Sequence, residues 1–136
     1  MSVGVQAQTP PKPSPKELAA GCIKQTKNPL ECFVTTANVS LFICQLEAEL
    51  AALSSKPYTC DTETVKATKP YFDPALASVA KNKAASDMLK DFYASWQSAL
   101  RAMTPGQSET KREYHARVEE TARKVEERGN RLLLER

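Results

Sequence analysis

The chain reads as all-α: an antiparallel four-helix bundle-like arrangement over about 16-26, 30-53, 74-103 and 109-133, with two disulfides in its N-terminal half. Three observations carry this. Apolar residues recur at intervals of three and four rather than in the alternation of a half-buried strand. Glycine is scarce, 4 residues against 9 prolines, and the prolines punctuate the periodic stretches. All four cysteines fall within the 39 residues from Cys22 to Cys60, and the following 76 residues have none. A length of 136 residues suits one domain, which buries roughly two thirds of its unfolded surface without help from a metal.

Residues 1-14 read as a flexible proline-rich tail. Val5-Gln6-Ala7 has the small-x-small form of a signal-peptidase site, so a mature chain is expected to begin near Gln8, although neither a charged n-region nor a long apolar core precedes it. Pro10, Pro11, Pro13 and Pro15 favour an extended conformation, suited to a tether. Residues 15-136 then form a single helical domain: a disulfide-stapled hairpin over 15-60 and a long helical hairpin over 74-136.

The first helix opens at Ser14-Pro15, because proline suits the first turn, and runs to Thr26. Asn28-Pro29 breaks it and caps the second. From Leu30 to Leu53 there is neither Pro nor Gly. Phe33, Val34, Ala37, Leu41, Cys44, Ala48 and Ala51 form one apolar stripe there, and Leu30, Ile43, Leu46, Leu50 and Leu53 form an adjoining one. Ser54-Ser55-Lys56-Pro57 ends the helix, and the chain returns over it to Cys60.

Four cysteines allow three pairings. Cys32 and Cys44 are twelve residues apart on one helix, roughly 18 Å by the helical rise. A disulfide spans Cα atoms only about 4.4–6.8 Å apart, so that pair is excluded. Cys22 and Cys32 flank the Asn28-Pro29 turn at matching distances, and the 54–60 return is long enough to bring Cys60 to Cys44. Cys22-Cys32 with Cys44-Cys60 is the expected pairing; Cys22-Cys44 with Cys32-Cys60 demands a more offset packing. The intervals are too wide for the close pairs of a zinc site, and the chain has a single His. An even cysteine count beside a signal-like triplet points to an oxidising compartment, periplasmic or extracellular.

Residues 61–72 read as an irregular crossing, with one turn from Val65 to Thr68 and with Tyr71 and Phe72 as core anchors. Asp73-Pro74 then signals a helix start. Leu76, Val79, Ala85, Met88, Leu89, Phe92, Trp96, Ala99 and Met103 form a continuous stripe to the Thr104-Pro105-Gly106 turn. Ser108 is the expected cap of the last helix, where Tyr114, Val118, Ala122, Val125 and Leu132 form a narrow stripe among eight Lys or Arg and seven Glu. Glu113–Arg117, Glu119–Arg123, Glu120–Lys124 and Glu127–Arg131 have the spacing of helix-stabilising ion pairs. Gly129-Asn130 reads as a helix end. Leu132, Leu133 and Leu134 then cannot all share one face, which makes them the candidate interface.

No motif for nucleophilic, metal-assisted or phosphate chemistry is present, and nothing calls for a cofactor. His115 stands alone. Asp87, Asp91 and Glu47 would form an acidic group only if folding turned all three inward. A net charge of +3, spread among alternating signs, argues against a nucleic-acid partner, and no run of 18 apolar residues indicates a membrane span. Asn38-Val39-Ser40 matches a glycosylation acceptor but lies mid-helix. Phe92 and Trp96 are the candidate lining of a pocket for a small apolar ligand. The reading is a non-enzymatic exported protein that works by protein-protein interaction as an inhibitor, immunity protein, chaperone or assembly factor, alone or as a homodimer. A carrier of a small apolar ligand is the alternative, and an enzyme the remote one. Intact mass after alkylation without reductant should show no labelled thiol; four labels in an oxidising preparation would overturn the compartment assignment.

Overall fold

The computed structural model describes residues 14–135, which form five helices and no strand. These are α1 (Pro15–Thr26), α2 (Pro29–Ser54), α3 (Cys60–Ser78), α4 (Lys83–Arg101) and α5 (Lys111–Glu135). The expected tail and the Val5-Gln6-Ala7 triplet lie outside the described residues, apart from Ser14. That residue caps α1 by accepting the Glu17 N–H at 3.1 Å.

The all-α class and both disulfides are as expected. Asn28 caps α2 through its side chain, which accepts the Glu31 N–H, and Pro29 takes the first turn, where it displaces no hydrogen bond. Cys22 joins Cys32 and Cys44 joins Cys60, with Cα separations of 5.5 and 5.4 Å. Each bridge carries a threonine four residues after the cysteine on the pendant helix. The Thr26 hydroxyl lies 3.2 Å from Cys32 Sγ, and that of Thr64 lies 3.3 Å from Cys44 Sγ. One bridge therefore pins α1 to α2, and the other pins α3 to α2. Closing loops of 10 and 16 residues, each contributes about 3 kcal/mol in the loop-entropy account.

Several boundaries differ from the sequence reading. The stretch expected as an irregular crossing is helical, so there are five helices rather than four, and Asp73-Pro74 is no start signal. Pro70 and Pro74 lie inside α3, one turn apart on its exposed side. Both prolines are exposed, while Cys60, Thr64, Thr68 and Ala75 keep the opposite face buried. The expected 74–103 helix is divided at 79–82, where Asn82 accepts the Ala85 N–H and restarts the chain as α4. An unbroken helix would run about 45 Å; the break returns its second half to the core.

Phe33 of α2 is the centre of that core. Its ring meets Phe72, Tyr93, Trp96 and Phe92 with centroids 5.4, 5.7, 6.1 and 6.3 Å away, all edge-on. Such pairs contribute about 0.5–1.5 kcal/mol each beyond the area they bury. The buried Trp96 indole donates to the Ala37 carbonyl at 2.7 Å, which fixes α4 against the middle of α2.

The end of α5 differs as well. Gly129 does not stop the helix, which continues to Glu135. Instead it is buried where α5 crosses α2 and α4. A Cβ there would stand 2.9 Å from Val34 Cγ1 and 3.0 Å from Phe92 Cε1. The glycine is a close-approach residue and lets Leu132 reach the core one turn later. Gly129→Ala is expected to lower the unfolding free energy by about 1–2 kcal/mol, overpacking strain outweighing the gain in helix propensity. Urea unfolding of both chains measures this, and a stabilised variant would show that no close packing is required there.

Candidate functional site

Among the described residues α2 is the only helix in contact with all four others. It has no Lys or Arg, and its two apolar stripes wrap most of its circumference. A helix apolar all round is ordinarily covered all round. Here one face is open. Phe42 is 62% exposed, Leu50 56%, Leu53 86%, Val39 39% and Leu46 37%. These five share one side of the helix, and no charged residue interrupts them. Thr35 extends the face at one end, while Ile43 and Glu49 border it.

Beyond Leu53 the face runs into a concavity of about 380 Å³ between the end of α2 and the start of α5. Ala52, Leu53, Pro105 and the Tyr114 ring supply its apolar wall, and Glu49, His115 and Lys111 its polar rim. His115 Nε2 stands 3.3 Å from Glu49 Oε1, so the lone histidine meets a carboxylate that borders the apolar face.

The loop closing this end is organised by Arg117. Its guanidinium donates to both Glu109 oxygens, at 2.7 and 2.9 Å, and to the Ala102 and Thr104 carbonyls. Glu109 also accepts the Gly106 N–H at 3.0 Å. The Arg117 guanidinium and that N–H hold the Glu109 carboxyl down at about 2. Glu113 is committed elsewhere. It accepts the Thr110 N–H while the Thr110 hydroxyl accepts its own N–H, a reciprocal cap. Thr110 therefore caps α5 in place of the expected Ser108, and Arg117 turns to Glu109 rather than to Glu113. Of the four anticipated pairs, Glu120–Lys124 forms at 3.8 Å, whereas Arg123 turns to Glu120 and Glu127.

The residues singled out from sequence are dispersed. Leu132 is fully buried at 0% and belongs to the core rather than to an interface, because α5 continues through Gly129 and turns it inward. Leu133 packs partly against the core, and only Leu134 is fully outside, at 87%. Phe92 and Trp96 are both buried within the Phe33 ring cluster, which fills the space a ligand would need. Asp87 and Asp91 are exposed on α4, Asp87 paired with Lys83 at 2.7 Å, and Glu47 lies half-buried on α2. Folding thus turns neither aspartate inward. Among the described residues no three His, Cys, Asp or Glu side chains gather as metal ligands. In the glycosylation triplet Asn38 Oδ1 and Ser40 are buried, whereas Val39 between them is exposed.

Periodicity alone places Ile43, Leu46, Leu50 and Leu53 on a second apolar stripe without saying whether that stripe is covered. The signal was present in their number: two stripes on one helix are more apolar surface than a small bundle covers. By length and composition α2 is also able to cross a membrane, with 50% of its apolar window buried within the bundle. The chain matches no protein-family model, no curated protein and no solved structure. Two disulfides with no free cysteine fit an oxidising environment.

The Glu109 carboxyl, depressed from 4.5 to about 2, binds protons more weakly in the folded than in the unfolded chain. Its contribution is complete above the ordinary carboxylate range and is lost as pH falls towards 2. Glu109→Gln is expected to melt at a lower temperature than the parent at pH 6. That difference should shrink between pH 4.5 and 2, and a constant gap across a pH series would contradict the role given to Arg117.

Proposed function

We propose that this chain is an exported helical protein that acts by protein-protein interaction through the open face of α2, and not by turnover. The single observation that carries this is the uncharged row of Val39, Phe42, Leu46, Leu50 and Leu53 on the helix that also anchors both disulfides. The two bridges make α2 a rigid platform, so a partner docking on it meets a preformed surface and loses little conformational freedom. Scattered single apolar residues on a surface need no explanation; a continuous row on one helix marks an interaction site. The oxidising environment that suits the bridges supports export to the periplasm or the exterior. Inhibitor, immunity protein, chaperone and assembly factor all use such a face. The filled Phe92–Trp96 region gives the ligand-carrier alternative no support.

The oxidised chain, immobilised through a surface lysine and exposed to an envelope or secreted extract, is expected to retain a defined protein. Phe42→Asp together with Leu50→Asp should abolish that retention. Recovery of lipids or small molecules alone would sink the interaction reading.

A further inference from the structure

The open face of α2 has a pattern that limits what covers it. Val39, Leu46 and Leu53 repeat every seven residues and form a nearly straight seam. Phe42 and Leu50 stand four residues before and after Leu46, on opposite sides of that seam. The intervals along the face are three, four, four and three, the same read in either direction. Reversal about Leu46 exchanges Val39 with Leu53 and Phe42 with Leu50, and returns Leu46 to itself.

Resting on the interaction reading above, we infer that the partner of this face is α2 of a second copy, in an antiparallel two-fold pair centred on Leu46. A two-fold axis beside Leu46 sets the Phe42 of one copy level with the Leu50 of the other. Because these two flank the seam on opposite sides, they interleave instead of meeting head-on. Val39 and Leu53 meet at each end, a smaller side chain against a larger one, and the same patch serves both copies, as an isologous contact requires.

Area and charge agree with this occupant. The five side chains expose on the order of 500 Å² per copy, so pairing removes about 1,000 Å² of apolar surface, the threshold for a specific interface before the rim is counted. Between Cys32 and Ser54 the only charged residues are Glu47 and Glu49. Glu47 and Glu49 border the face on its two sides, and reversal about Leu46 sets them level with Gln45 and Ile43 of the other copy rather than with a carboxylate. No like charges therefore oppose one another when the face meets its own copy, and a strongly charged partner finds nothing to read. A lipid surface is a poorer match, because interfacial helices carry Lys and Arg beside their apolar face and α2 has none.

Sedimentation equilibrium of the oxidised full chain at 1–100 µM tests this. The expected mass is twice 15.0 kDa. Phe42→Asp with Leu50→Asp should weaken the dimer at least a hundredfold while leaving the circular-dichroism helix signal unchanged. Leu46→Cys adds one thiol to a chain without free thiols. On mild oxidation it should cross-link to itself at least tenfold faster than Lys90→Cys on exposed α4. A monomer at every concentration, a dimer that persists in the double variant, or equal cross-linking of the two thiols would overturn the second-copy inference. If the monomeric chain still captures a protein and loses it in the double variant, the interaction reading survives without the dimer. If a monomer instead floats with phosphatidylcholine–phosphatidylglycerol vesicles and the double variant does not, both readings fall.

Discussion

A helix with apolar residues around nearly its whole circumference must be covered from several sides, and α2 imposes that demand on the rest of the chain. Its 26 residues hold three glutamates and no basic residue, so it has little polar surface to offer water. The other four helices all pack on it. Phe33 gathers the rings of α3 and α4, the Ala37 carbonyl takes the Trp96 indole N–H, and Val34 comes within contact of Gly129 on α5. Two of the four attachments are covalent. The Cys22–Cys32 and Cys44–Cys60 bridges hold the two helices that bury the fewest apolar side chains, α1 and the proline-bearing α3.

The bridges and the open face have a common cause. A chain of this size has limited apolar surface with which to surround so hydrophobic a helix, and four helices leave one side of it uncovered. Staples secure the coverage that exists, and the remaining side stays available for association. The same platform that stabilises the bundle thereby presents a preformed binding surface, and the end of it, at Leu53, adjoins a loop made rigid by Arg117 and Glu109.

Much of the local structure was legible because it depends on short-range chemistry. Ser14 and Asn28 are helix caps by residue type, Pro29 suits a first turn, and the twelve-residue spacing of Cys32 and Cys44 forbids their bond on one helix. The site was less legible. The leucines at 132–134 drew attention as a leftover run on the premise that Gly129 ends α5. Glycine carries two meanings, helix stop and close approach, and only the neighbours Val34 and Phe92 distinguish them. Pro70 and Pro74 misled in the same way. A proline inside a helix is tolerated when its freed carbonyl faces water, and which side faces water is a tertiary fact.

By itself the sequence determined the helical class, the caps of the first two helices and the exclusion of a Cys32–Cys44 bridge, because each follows from neighbours within a few turns. Tertiary structure alone decided how many helices there are, which apolar stripe of α2 is covered, and which leucine of the last three is core. Those outcomes depend on how much surface the other helices have left to give, and periodicity along one helix counts apolar faces without recording which of them meets a partner.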